Sequence, residues 1–355
     1  MRVRAPRLVR SGWWVAAAAV VLTAAVATMM LVPVLEHRAG RETAGEFDLD
    51  RATAPPEVLV RAMPRDGVHV LSAPSFMAAA AVELANEAER GKFLVGDDRV
   101  IGVAEGGEAR AYPLRLMRWH EVVNDVVGGE AIAVTYSPLC DSVAVYSRRV
   151  GDKTVELGAS GLLANSNPLL YDRTLAPPVS PLWAQLDGRP VAGPEPERIP
   201  RLEPRVAVLT TWSAWRARHP QTQVLAPLEE LKRLYKRDPY HSYFGSELLR
   251  FPVAPLPPEG GLHLKDRVVV VTVDGHDTAF PLPALEAAGG GPSGSVEAEA
   301  HGLRLRIDYR RVPGTAEVTV VGGAGELQAV RYGFWFAWYA RGETIPGIIA
   351  AAGRD

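Results

Sequence analysis

The chain of 355 residues has a single cysteine, Cys140. One thiol makes no internal disulfide, so the fold rests on its apolar core, and Cys140 is either enclosed and inert or exposed and usable. Lysine is scarce too, standing only at Lys92, Lys153, Lys232, Lys236 and Lys265, and arginine supplies the remaining positive charge. A formal net charge of −2 leaves no electrostatic case for nucleic acid as a partner. No Gly-x-Ser-x-Gly elbow, Walker loop, His-Glu-x-x-His pair or Gly-x-Gly-x-x-Gly turn behind a strand occurs. The familiar signatures of serine hydrolases, nucleotide-binding loops and zinc peptidases are therefore missing.

What is present begins at the N-terminus. Residues 1–12 carry Arg2, Arg4, Arg7 and Arg10 without an acidic residue, and residues 13–35 then run without a charge. That run has the length a helix needs to cross a bilayer, and the basic flank predicts that it stays inside. The expectation is an uncleaved transmembrane signal-anchor at 13–35 with the membrane as its partner and the main domain outside. Trp13 and Trp14 would lie at the interface. Residues 36–66 are polar and turn-rich and read as a tether.

The remainder is globular in composition, 47% hydrophobic and 23% charged, and its Gly 33 and Pro 29 favour turns and short strands. Residues 75–91 read as a helix ended by Gly91, and 99–114 as a hairpin around "EGGE". Residues 117–125 read as a short helix or turn. "EAIAVTY" and "SVAVYSRRV", either side of Cys140, alternate like half-buried strands. Further on, "TTWSAWRARHP" predicts a helix capped by Thr210 or Thr211 and stopped before Pro220, and 227–245 a helix followed by an aromatic loop. The aromatic run from Tyr332 to Tyr339 reads as core.

Two stretches echo one another. "EARAYPLRLM" at 108–117 matches "HDTAFPLPAL" at 276–285, and "VAVYSRRV" at 143–150 matches "LRIDYRRV" at 305–312. The expected fold is β-rich α+β, made of two diverged copies of one unit: 67–250, which carries the candidate site, and 251–345, with a tail at 346–355. The second match sets Gly302, or a neighbour, opposite Cys140, so the second copy lacks the thiol.

The chemistry-bearing residues gather near Cys140. Cys140, His120 and Asp141 form the candidate catalytic set, with His120 as base and Cys140 as attacking thiolate. Asn124, Asp125 or Asp172 would orient the imidazole. Cys140 with His120 is equally a partial site for Cu(I) or Zn(II), though a firm site needs a third ligand. Both residues have bland readings, an enclosed core thiol and a hydrogen-bonded imidazole closing a turn. Tyr171, Asp172, Arg173 and Trp183 are the candidate ligand-binding residues, where an Asp–Arg pair either fixes the loop or offers a donor fork to an anion.

"ARAYPLRLMRWHEVVNDVVGGEAIAVTYSPLCDSVAVYSRRV", "SGLLANSNPLLYDR", "LWAQLDGRPVAGP", "TTWSAWRARHPQTQVL" and "RDPYHSYF" together resemble the bacterial domain of unknown function 3179 family, over roughly residues 95–340. The resemblance implies an exported or membrane-anchored protein, and no particular activity. Family members commonly show Cys-Pro-Leu-Cys where this chain has Ser137-Pro138-Leu139-Cys140. Ser137 removes the first sulfur, and with it a self-contained dithiol cycle. Two function classes follow: a membrane-anchored protein of thiol or soft-metal chemistry centred on Cys140, or a non-enzymatic binding or envelope scaffold in which Cys140 is structural.

Overall fold

The computed structural model describes residues 46–88 and 92–341. The expected signal-anchor at 13–35, Gly91 and the tail at 346–355 lie outside the described residues. Among the described residues no helix is long and apolar enough to cross a membrane.

The fold is β-rich α+β, with short helices set between strands. Two-residue turns seed much of it. Gly106 and Gly107 in "EGGE", and Gly128 and Gly129 after them, have φ of 54°, 84°, 57° and 83°. Left-handed backbone at both central positions is what tight hairpins require, and glycine adopts it without a Cβ clash. The expected hairpin is accordingly present as Arg99–Glu105 paired with Glu108–Pro113.

One eight-stranded sheet runs in the order His276–Pro281, Arg267–Val273, Leu327–Phe334, Ser142–Ser147, Glu130–Ser137, Val122–Val127 and Leu71–Ser72, with Pro204–Arg205 paired onto Ser142–Ser147. The other runs Ser293–Ala300, Leu303–Arg310, Thr315–Gly323, Val208–Thr211, Arg99–Glu105, Glu108–Pro113, Gln223–Leu225 and Phe76–Ala78. Ile101, Val103, Leu305 and Ile307 of the second sheet share one apolar cluster with Val123, Val134, Val269 and Val271 of the first. A five-stranded sheet, Leu59–Arg61, Leu157–Ala164, Asn167–Asp172, Leu182–Ala184 and Pro190–Ala192, packs on the other face of the first sheet, where Leu157, Leu170 and Trp183 meet Val122, Ala133 and Tyr146.

That third sheet explains several departures from the sequence reading. The strands beside Cys140 were expected to be half-buried, yet every residue of Ser142–Ser147 is buried, because both faces of their sheet are covered. Residues from Phe47 onward are part of the fold and not a tether: Phe47 is buried against Tyr171 and Leu182, and Leu59–Arg61 is a sheet strand. The helix expected over 75–91 is Ala79–Ala88, since Phe76–Ala78 pairs with Gln223–Leu225 instead. Of the helix followed by an aromatic loop expected over 227–245, the helix is only Lys232–Tyr235, and the aromatic segment after it forms the short helix His241–Phe244. Elsewhere the reading holds. Trp212–Arg218 is helical with Thr211 accepting from the Ala214 amide, and Tyr332, Phe334, Phe336 and Trp338 are core.

The two segments expected to be separate units are interleaved. The 267–281 hairpin lies in the sheet built from 122–147, and the 99–113 hairpin lies in the sheet built from 293–323. Each hairpin leads through its aromatic–Pro–Leu step into a helix, Leu114–His120 and Leu282–Gly289. Pro113 and Pro281 sit at the helix entry with φ of −60° and −66°, values the proline ring itself favours.

Candidate functional site

Strands Glu130–Ser137 and Ser142–Ser147 pair until Ser137 faces Ser142, which leaves a four-residue turn carrying Cys140. The turn points inward. Cys140 has no exposed surface and packs with Leu139, Leu163, Leu186 and Tyr243. Its thiol donates to the Ser166 carbonyl at 3.4 Å, and its own carbonyl accepts from the Phe334 amide at 2.7 Å. Tyr243 donates its hydroxyl to the Leu139 carbonyl at 2.8 Å and closes the turn from above. Burial pushes the thiol up to about 12, and the polar groups of Asn167 and Ser137 beside it only partly counter that. At neutral pH the sulfur is a protonated donor, not a thiolate.

The thiol's acceptor explains its location. Asn165 and Ser166 form a hairpin turn with φ of 53° and 62°, left-handed without glycine. Such residues are strained, so the turn needs outside support. Asn165 accepts from the Ala254 amide at 2.8 Å, Ser166 donates to the Phe251 carbonyl at 3.1 Å, and Cys140 bonds the Ser166 carbonyl. Beside it, Gln185 accepts from Ser142 at 2.6 Å and from Asn167 at 3.1 Å, and donates to Thr135 at 2.8 Å. Sulfur and amides together pin the five-stranded sheet to the thiol-bearing hairpin.

Asp141 is not a free ligand for a metal beside Cys140. Arg99 grips it with two bonds of 2.9 Å, Arg267 donates Nε at 2.6 Å, and Tyr136 donates its hydroxyl at 2.8 Å. Burial alone would raise this carboxyl, but the two guanidinium groups hold it well below the usual carboxylate range. For Arg99, burial works against the charge, and Asp141 more than offsets it. Arg99 and Arg267 each open a strand and each stand in an Asp-Arg-Val step, 98–100 and 266–268. That repeated step was the sequence signal for this clamp, and the sequence reading did not use it.

His120 does not share a hydrogen bond with Cys140. It is fully buried, and its ring nitrogens lie 2.6 Å from the His69 carbonyl and 2.7 Å from the Tyr235 hydroxyl. A carbonyl only accepts, so Nδ1 carries the proton and Nε2 accepts from Tyr235. Burial holds the imidazole below its ordinary pKa and neutral. Both nitrogens are thus engaged away from the sulfur. Two carboxyl groups act on the thiol instead: Asp141, the stronger, and Glu121, next in the chain after His120, at φ of 56°. Burial pushes its carboxyl up to about 8, and its charge raises the Cys140 pKa further. Sequence pairing of His120 with Cys140 missed this because the left-handed residue ending Leu114–His120 turns the two neighbours to opposite sides. Among the described residues no group of three or more His, Cys, Asp or Glu side chains could hold a metal ion.

The four candidate ligand-binding residues mostly order their own surroundings. Tyr171 donates to Asp66 at 2.6 Å, Arg173 reaches Glu156 at 3.0 Å, and Trp183 donates to the Pro200 carbonyl at 3.0 Å. Asp172 accepts from the Thr174 amide and hydroxyl at 2.9 and 2.8 Å, and does not pair with Arg173. Asp172 and Trp183 also line an open cavity of about 400 Å³ with Leu175 and Val179.

A larger cleft, about 580 Å³, opens elsewhere, with Ile132, Arg201, Arg205, Val206, Trp215 and Thr272 on its walls. It is bordered by the ends of strands from both large sheets and by the 201–208 connection, and it mixes apolar surface with guanidinium and hydroxyl groups. No sequence motif marked it, because its walls come from six separated stretches.

A family model described as a protein of unknown function (DUF3179) matches residues 65–344. No curated protein and no solved structure matches the chain.

Proposed function

The chain belongs to the DUF3179 family, and we propose that it is a non-enzymatic binding protein, displayed outside the membrane on residues 13–35, in which Cys140 is structural. The observation that carries this reading is the enclosure of the thiol. Cys140 has no exposed surface, it donates to a backbone carbonyl, and both nitrogens of His120 are bonded elsewhere. A nucleophile needs a base in hydrogen-bond reach and a path for substrate. The ligand site in this reading is the cleft of about 580 Å³, which is in the size range of small-molecule sites. The membrane part rests on the charge-free run behind Arg2, Arg4, Arg7 and Arg10.

We also propose that the two large sheets descend from two copies of one unit. Supporting this, the orders hairpin 267–281, Leu327–Phe334, Ser142–Ser147, Glu130–Ser137, Val122–Val127 and hairpin 99–113, Val208–Thr211, Thr315–Gly323, Leu303–Arg310, Ser293–Ala300 correspond strand for strand. In that correspondence the turn 138–141 matches 311–314, so Pro313, not Gly302, stands opposite Cys140.

A second reading keeps a thiol function with Glu121 in place of His120 as the group that takes the proton, favoured by the charge coupling of Glu121 to Cys140. One experiment separates the two. The full chain in detergent is treated with iodoacetamide at several pH values, with and without urea. The structural reading expects alkylation only as the protein unfolds. Alkylation of the folded protein at neutral pH, abolished in Glu121→Gln, would establish the thiol reading instead.

A further inference from the structure

We propose that the end of the large cleft formed by Arg201 and Thr272 binds one anionic group of the ligand, a carboxylate or a phosphate; this rests on the cleft being the binding site. Three arginines line the cleft. Arg205 pairs with Glu203 at 3.7 Å, and Arg218 pairs with Glu317. Arg201 differs: its Nε donates to the Asp187 carbonyl at 2.7 Å, and among the described residues it pairs with no carboxylate. Its outer fork is the part of the lining free to meet a planar anion with two parallel bonds.

The ground behind Arg201 is positively charged. Thr272, on the cleft wall, donates to Asp277 at 2.7 Å and accepts from Arg331 at 2.8 Å. Arg331 has no exposed surface, and among the described residues its Nε and Nη1 have no hydrogen-bond partner; neither does Nε1 of Trp338, whose ring lies 5.2 Å from the guanidinium. Asp277 serves Arg331 and Arg341, and Asp187 serves Arg341 and Arg189. Arg331 therefore keeps two of its three guanidinium nitrogens without an acceptor among the described residues. Buried positive charge without a full complement of acceptors is costly, and an anion at the cleft end offsets it. Burial first, and then the Arg331 charge, hold the Arg201 pKa down, as expected in such surroundings. Glu105 and Glu326 line the rest of the cleft. They disfavour a polyanion and limit the ligand to one anionic group.

The test uses the full chain in detergent, with sodium phosphate and sodium acetate as separate probes titrated at constant ionic strength set by chloride. Thermal unfolding and calorimetry read the binding of the wild type, Arg201→Met and Val206→Trp, the last filling the cleft from an exposed wall position. The expected result is saturable stabilisation by one of the probes, which identifies the anion class. It is weakened about tenfold or more in Arg201→Met, the loss expected for a charge-assisted contact, and abolished in Val206→Trp. No saturable effect in the wild type overturns the proposal. Binding unchanged in Arg201→Met but lost in Val206→Trp overturns the anchor and leaves the cleft standing. Binding unchanged in both variants overturns the cleft as well.

Discussion

Asp141 is the residue on which the thiol-bearing turn depends. With 1% of its side chain exposed it holds Arg99, itself 7% exposed, and Arg267. Removing one partner of a buried ion pair leaves the other charge uncompensated, at about 3–5 kcal/mol. Asp141→Asn is therefore expected to lower the unfolding free energy by that amount, read as a lower urea midpoint with an unchanged slope; a loss below about 1 kcal/mol would show that the clamp is dispensable. The folded carboxyl titrates well below its ordinary value. Its contribution is thus complete above about pH 4, the unfolded pKa, and is lost as pH falls below that. Glu121 works in the opposite sense. Its carboxyl rises from 4.5 to about 8 on folding, so the folded state holds a proton the unfolded state has released. Stability falls as pH climbs through that window, by at most about 1.4 kcal/mol per pH unit, and levels off above it. His120, drawn down by burial, contributes a rise across part of the same range. The difference between wild type and Glu121→Gln cancels that rise. Urea midpoints at about pH 5 and about pH 8 should show the variant gaining on the wild type as pH rises. Parallel pH profiles would mean that Glu121 is ionised in the folded protein.

At the scale of elements, the turn chemistry was plain in the sequence and the strand environments were not. "EGGE" announces a hairpin through its glycines, and it forms; the Gly128-Gly129 turn forms a second hairpin that the sequence reading left unassigned. Gly102, inside Arg99–Glu105, has a different purpose: a Cβ there would lie 2.3 Å from the Trp215 ring of the helix Trp212–Arg218. The strand runs so close to that helix that only hydrogen fits, a regular use of glycine within a strand. Gly102→Ala is expected to cost about 1–3 kcal/mol by overpacking, read as a drop in melting temperature with displaced Trp215 fluorescence. A variant as stable as the wild type would mean that the helix shifts without penalty. The same closeness explains why Trp215, only 1% exposed, still borders the cleft.

At the scale of the molecule, interleaving governs how the chain folds. Neither 67–250 nor 251–345 has a complete eight-stranded sheet, since each lends a hairpin to the other and Asp141 joins arginines from both. Expressed apart, the two pieces are expected to show no cooperative unfolding transition, and expressed together to recover one, followed by circular dichroism. A cooperative melt from either piece alone would overturn the exchange of hairpins as the basis of stability. Contacts of such long sequence separation also predict slow folding relative to helical proteins of this size.

Read alone, the sequence determined the β-rich class, the family resemblance, the hairpin turn at "EGGE", a cap at Thr210 or Thr211 and the aromatic core around Tyr332 to Trp338. Each of these is written in short-range signals: a glycine pair, a capping hydroxyl, a dense apolar run. Tertiary structure alone decided what surrounds Cys140. A left-handed Glu121 sends His120 to Tyr235 and leaves the carboxylate near the sulfur. A third sheet covers the turn, and arginines from two distant strands claim Asp141. Neighbours in space that come from separate strands leave no mark of their pairing on local sequence, because only the register of the assembled sheets brings them together.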